Sequence, residues 1–476
     1  MTNWKDKKIA VIYGQGIEGC GVTRVGAELE LWSKKVGCKL DTYSYDEKFY
    51  TRRGAHKLNY TSFTHENIHE VKDALENYDL VIFNSYPNNK YEHTAISRFY
   101  YSLFKPLKTL KVMFVHEISK ANVDKICYLV PMLNEADLVY HFGTDTWMAQ
   151  QVISMLPSKK ANERMCRFRM WMNFEELLAY KEKYPLESRK RGLTYVGRWS
   201  SLKNIDRTVE VGYWAHQIDP TFVTDIHGIE ASMGAKLQII DHPWTTYTKI
   251  NKNKPNRTYG DGPVMAGEPC TRDFALNHFG SHIFGSAFYS LPKHPENYGD
   301  RMEYTQIEII GTGAIPLFDR HWAENNCISD GTKYSDLHEF AILSDGKDVQ
   351  EVAEKIVSMS TDFPTLRRYQ KNSFDVAYEE FNADRVIPET LEHIFSMGKD
   401  AGKYADEKEL LAAIAGPIYA DEVDKLEKGG YVPALGIQEV QGKQLSYLEG
   451  NKQVFLKYDG GAKKAAAVAT NSTRLF

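Results

Sequence analysis

Short apolar runs rich in β-branched residues alternate with stretches of helical period along most of the chain. From Lys8 the runs are KIAVIYG, LVIFN at 80–84, KVMFVH at 111–116 and DLVYHF at 137–142, with a helical segment at about 22–36 after the first. A second series begins with LTYVG at 193–197 and continues with FVTDIHG at 222–228, HIFG at 282–285, AIPLF at 314–318 and FAILS at 340–344. Continuous apolar strands separated by helices mark parallel sheets covered on both faces. The pattern predicts an α/β chain with two Rossmann-like, doubly wound halves joined near 165–185. Helices at about 346–360, 364–380 and 384–397 close the second half. Past Lys399 the character changes to an Ala/Leu-rich helical piece at 407–415, a Gly-Tyr-Pro-rich stretch around 429–436, and an Ala/Lys/Thr end expected to fray. The expected division is an N-terminal domain at 1–172, a second domain at 173–383, a helix at 384–399 that crosses back to the first, and an appendage at 400–476 with no assigned role.

Length supports this division, because 476 residues exceed what one hydrophobic core organises. Charge adds a restriction: 59 Lys and Arg against 63 Asp and Glu leave a net −4, so nucleic acid would have to be met by local patches. Cysteines at 20, 38, 127, 166, 270 and 327 have no short-spaced pair suited to zinc or redox chemistry. No run is long and apolar enough to span a bilayer, and Met1 to Lys8 is charged, which predicts a soluble, intracellular protein.

Three stretches carry candidate chemistry. The first strand runs into GQGIEGCGVTR, whose glycines open a helix at about Val22, where free N–H groups and the helix dipole favour an anion. A tight structural turn and a dinucleotide fingerprint are the other readings of this loop. In the second half Gly197 and Arg198 end a strand and Lys203 follows on the way into a helix, a spacing able to hold both phosphates of a nucleoside diphosphate. Two solvated charges are the plainer alternative. The third stretch is DRMEYTQIEIIGTGAIPLF at 300–318. Its carboxylates, Glu303 and Glu308, can accept from ribose hydroxyls, and Gly311 and Gly313 are expected to leave room for the sugar and phosphates at the helix end.

GIEGCGVT at 16–23 and EYTQIEIIGTGAIPLF at 303–318 resemble the corresponding blocks of the T-even phage DNA α-glucosyltransferase family. FNSYP at 83–87, VHE at 115–117 and VGR with its following Lys203 extend the likeness, which covers roughly residues 8–398. The resemblance implies a GT-B fold, two Rossmann-like domains facing across a cleft. The implied activity is transfer of a sugar from a UDP-sugar to 5-hydroxymethylcytosine in double-stranded DNA, with retention of configuration. Donor residues by this likeness are Arg198, Lys203, Glu303, Glu308, Gly311 and Gly313, with Gly16, Gly19, Cys20 and Gly21 facing the diphosphate. Glu28, His116 and Glu117 would lie by the transferred sugar and acceptor as catalytic residues; a core histidine is the alternative for His116. The family carries an aspartate where this chain has Glu117, and one added methylene moves a carboxylate by about an ångström. That departure is compatible with another sugar, such as the arabinose that related phage enzymes attach to DNA.

Basic residues beside aromatics supply candidate DNA contacts: Arg52, Arg53 and Lys57, and the group Lys249, Lys252, Lys254 and Arg257 near Trp244, Tyr247 and Tyr259. No Asp-x-Asp pair occurs, and His65 and His69 at helical spacing lack an adjacent third ligand, so no metal site and no cofactor beyond the UDP-sugar is expected. A GT-B transferase acting on polysaccharide and a non-catalytic nucleotide-sugar or DNA-binding protein are the rival readings. The implied place of action is the cytosol of a phage-infected bacterium, away from any membrane.

Overall fold

A computed structural model describes residues 2–13, 21–45, 60–63, 67–84, 103–116, 132, 135–141, 165–199, 203–230, 242–249, 257–267, 271–288 and 302–398, and three strands within 444–470. The chain forms two units, Met1–Phe168 with Ile387–Phe476, and Arg169–Val386.

The first unit is built on a seven-stranded sheet of β1 (Lys8–Tyr13), β2 (Lys39–Tyr45), β3 (Thr61–Phe63), β4 (Leu80–Phe83), β5 (Lys111–Val115), β6 (Leu138–His141) and β7 (Met165–Arg167). Its order is β3-β2-β1-β4-β5-β6-β7, and every pairing is parallel. β4 and β5 are buried at every position, the signature of a sheet covered on both faces. Helix Gly21–Val36 follows β1 and buries Val25, Leu29 and Trp32. Trp32 meets Trp4 edge-on at 5.4 Å, and Trp4 meets Phe395 at 6.3 Å. Phe395 belongs to helix Ala383–Met397, whose later turns thus pack on this unit. His393 of the same helix bonds Tyr140 at 2.6 Å.

The second unit carries β8 (Lys190–Trp199), β9 (Val223–Glu230), β10 (Thr245–Lys249), β11 (Arg257–Tyr259), β12 (Val264–Gly267), β13 (His282–Ala287), β14 (Ile315–Asp319) and β15 (Ile342–Ser344). The order is β11-β10-β12-β9-β8-β13-β14-β15, with only β11 antiparallel to its neighbour. Leu193, Phe284 and Leu317 of the sheet pack with Ile356 and Leu366 of helices Val349–Met359 and Phe363–Phe381. The chain enters and leaves this unit side by side: Met172 N donates to Phe381 O at 2.7 Å, and Ala383 N donates to Met172 O at 2.9 Å.

Beyond residue 398 the described structure is a three-stranded antiparallel sheet of β16 (Gln444–Glu449), β17 (Lys452–Lys457) and β18 (Ala466–Thr470). The Ala/Lys/Thr end expected to fray therefore contributes a strand. β16 and β17 pair from Glu449 with Lys452 outward, a local antiparallel pairing that the composition of this stretch obscures. The expected helical piece at 407–415 and the stretch at 429–436 lie outside the described residues.

Candidate active site

In a doubly wound sheet ligands bind beyond the carboxyl ends of the strands, where the strand order reverses. In the first unit that point lies between β1 and β4. Gly21 opens the helix after β1, Asn84 follows β4 and His116 follows β5. Asn84 and His116 are both buried. Asn84 Nδ2 donates to Val22 O at 2.9 Å, and its Oδ1 lies 2.9 Å from His116 Nε2. The Asn84 backbone N–H donates to Ile12 O at 2.9 Å, so β1, β4, β5 and the helix start are tied at one place.

Glu28 has a different setting from the one expected beside a transferred sugar. It lies in the second turn of the same helix, its side chain is 0% exposed, and it forms an i,i+4 ion pair with Arg24. A charged pair this deep is internally compensated, so its first contribution is structural. Glu117, Gly16, Gly19, Cys20, Arg52, Arg53 and Lys57 lie outside the described residues.

In the second unit the order reverses at β8, between β9 and β13. Arg198 is exposed near the carboxyl end of β8. Lys203 precedes helix Ile205–Ile218, and its Nζ donates to Glu303 Oε2 at 2.9 Å. Asn204, left-handed at φ 44°, donates from Nδ2 to Phe288 O at 3.1 Å and so fixes the chain beside Lys203. Glu303 caps helix Tyr304–Gly311: its carboxylate accepts from the N3 backbone N–H, while its own backbone N–H donates to Gln306 Oε1 at 2.8 Å. The structure thus joins Lys203 and Glu303 directly at the N-termini of two helices, where the dipoles favour an anion. Deeper at this edge Arg207 donates to Asp319 Oδ2 at 2.7 Å and to Ser344 O at 3.0 Å, a buried link among a helix start, β14 and β15.

Glu308, Gly311 and Gly313, also expected in the donor site, lie along the same helix and at its far end. Glu308 pairs with Arg272, which also bonds Glu176 at 2.6 Å. Gly311 and Gly313 stand at the opposite end of their helix from Glu303, just ahead of β14, where the dipole carries partial negative charge and disfavours phosphate. Gly311 is glycine because a Cβ there would come within 2.2 Å of Leu177 Cδ1. Gly313 ends the helix at φ +80°, and its carbonyl accepts from Gln370 Nε2 at 2.6 Å. Close packing at Gly311 and the left-handed helix end at Gly313 each call for glycine. The sequence reading missed Arg272 and Asn84, since neither spacing nor composition shows which distant side chain they will meet.

Arg257 is exposed on β11, directly opposite the exposed Lys249 on β10; Lys252 and Lys254 lie outside the described residues. A separate titratable cluster lies toward the amino ends of β9 and β13. His282 Nε2 donates to Asp225 Oδ2 at 2.9 Å, with Lys190 Nζ at 3.3 Å. Burial pushes the Asp225 carboxyl up, but His282 and Lys190 together outweigh it and hold it below the usual range. Burial, with His278 beside it, brings His227 down to about 4. Among the described residues no group of three or more His, Cys, Asp and Glu side chains is arranged to hold a metal ion, and no helix is long and apolar enough to cross a membrane.

No family model matches the chain. In sequence it is 21% identical over 408 residues to the DNA alpha-glucosyltransferase of Enterobacteria phage T4, an alignment spanning 81% of this chain and 99% of that protein. In structure it is similar to an alpha-glucosyltransferase in complex with UDP-glucose and DNA containing an abasic site, with TM-score 0.67, 18% identity, and coverage of 82% of this chain and 99% of the other. The same fold recurs in Anabaena HepE in complex with UDP-glucose, at TM-score 0.51 and 11% identity over 82% and 99% of the two chains. It recurs again in the α,α-trehalose 6-phosphate synthase of Burkholderia multivorans, at TM-score 0.51 and 10% identity over 83% and 100%. The two Rossmann-like units are thus of the GT-B kind, and the resemblance to the phage DNA α-glucosyltransferases extends over most of the chain.

Proposed function

We propose that this chain, similar in sequence and fold to a phage DNA α-glucosyltransferase, moves glucose from UDP-glucose to the hydroxyl of a hydroxymethylated cytosine in double-stranded DNA, with retention. The observation that carries the reading is the cationic group at the reversal point of the second unit. Arg198 and Lys203 stand there, with two helix N-termini and Glu303 beside them. In this account Arg198 and Lys203 take the diphosphate, Glu303 steadies Lys203, and Glu308, oriented by Arg272, accepts from the ribose. By the same likeness His116 and Glu117 serve the sugar and acceptor, and the Gly16–Gly21 loop the diphosphate. The phosphates of DNA are met by Arg52, Arg53, Lys57, Lys252, Lys254 and Arg257.

The bond from the anomeric carbon to the β-phosphate oxygen breaks as the acceptor oxygen bonds to that carbon from the same face. The acceptor proton passes to the phosphate oxygen that leaves. Charge developing on UDP is stabilised by Arg198, Lys203 and the helix dipoles, which are in place before reaction. A double displacement would need a carboxylate nucleophile, and burial against Arg24 argues against Glu28 in that part. No metal or cofactor beyond the UDP-sugar enters this scheme, and the reaction takes place in the infected host's cytosol. Arabinose is the competing sugar, because the Glu117 departure bears on sugar size.

The test is transfer of labelled glucose from UDP-glucose to three acceptors: hydroxymethylcytosine DNA, unmodified DNA and a polysaccharide mixture. The proposal expects label only on the first. Label on glycan alone would replace the acceptor, and UDP binding with no transfer to any of them would leave a non-catalytic binding protein.

A further inference from the structure

The buried amide after β4 decides which nitrogen of His116 carries a proton. Asn84 is 0% exposed and His116 6%. A carbonyl oxygen only accepts, so the Asn84 atom 2.9 Å from Val22 O is the NH2 group. The remaining atom is Oδ1, also an acceptor only, and it lies 2.9 Å from His116 Nε2. Turning the amide over would set oxygen against oxygen at Val22, at the cost of a buried unsatisfied carbonyl. His116 Nε2 is therefore the protonated nitrogen, and in the neutral ring the lone pair sits on Nδ1.

We propose that Asn84 is a positioning residue for sugar transfer: it holds His116 as the Nε2–H tautomer, so that the ring meets a sugar or acceptor hydroxyl through Nδ1, as an acceptor. A hydroxyl that donates to Nδ1 is oriented and keeps its oxygen lone pairs for other bonds. The Asn84 backbone N–H holds the residue to Ile12 of β1, while its side-chain amide is fixed between Val22 at the helix start and His116 after β5. This inference rests on the reading of His116 as a site residue.

The experiment uses the full chain with ¹⁵N-labelled histidine and a long-range ¹H–¹⁵N correlation at a pH where the ring is neutral, the His116 signals being identified by their loss in His116→Gln. The wild type is expected to show the Nε2–H tautomer and Asn84→Ala a mixture of the two neutral tautomers. In turnover on hydroxymethylcytosine DNA, Asn84→Ala is expected to lower kcat about tenfold or more while both KM values change by less than about threefold. An Nδ1–H tautomer in the wild type overturns the proposal, as does an Asn84→Ala protein with the wild-type tautomer or the wild-type kcat. Should the chain transfer no sugar to DNA, the proposed function falls, and the tautomer measurement still decides the Asn84–His116 pair.

Discussion

Replacing Lys203 by Met tests the diphosphate reading at its most definite contact. Lys203 and Glu303 are 13% and 22% exposed, so water screens them in part and their mutual bond contributes roughly 0–1 kcal/mol. A charge-assisted bond from Lys203 to a phosphate contributes about 1.5–3 kcal/mol, and each 1.4 kcal/mol is tenfold in affinity. Lys203→Met is therefore expected to weaken UDP binding about 10- to 100-fold by calorimetry. Glu303→Gln is the opposing control: the amide oxygen still accepts at the helix start, while a negative charge leaves the anion's neighbourhood. It should bind UDP as tightly as the wild type or more so. Wild-type affinity in Lys203→Met would refute the argument. Equal weakening in both variants would show that the pair acts as a structural bond and not as part of a phosphate clamp.

Other outcomes follow from the same geometry. Glu28→Gln removes the carboxylate paired with buried Arg24 and should lower the melting temperature markedly, whereas Arg24→Met with Glu28→Met should recover much of the loss. Asp319→Asn removes the partner of buried Arg207 and is expected to destabilise the protein by about 3–5 kcal/mol in denaturant titration; a change below about 1 kcal/mol would contradict the assignment. Acid sensitivity has a fixed sign. His227 is depressed from 6.5 to about 4 in the folded chain, so the unfolded state takes up its proton first and stability falls as pH drops from about 6.5 to about 4. His227→Phe should flatten that part of the stability profile. Arg257→Ala should weaken DNA binding and reduce the logarithmic salt slope by about 1, uniformly across sequences.

The strands were legible because parallel sheets buried on both faces leave apolar runs that need no tertiary knowledge to recognise; β4, β5 and β13 are such runs. The placement of Arg198 at the end of a strand and of Lys203 ahead of a helix was legible from the local pattern, and such an edge is where doubly wound sheets place ligands. Helix polarity was the missing step for Gly311 and Gly313. The distance from Glu303 is a whole helix, about 12 Å at 1.5 Å per residue, so the glycines stand at the end opposite to the one whose dipole favours an anion. The burial of Glu28 with Arg24 four residues earlier is set by which face of the helix meets the sheet, which charge spacing alone does not show. Asn84 meets His116 from 32 residues away and Val22 from 62, pairings set by strand order, which no local window contains.

The most direct measurement is mass spectrometry of the nucleosides recovered after the protein is incubated with hydroxymethylcytosine DNA and a panel of UDP-sugars, UDP-glucose and UDP-arabinose among them. The account predicts a hexose mass added to hydroxymethylcytosine with UDP-glucose and none on unmodified cytosine. A pentose mass would change the sugar and keep the reaction, while no added mass with any donor, in a protein that binds UDP, would contradict the central claim.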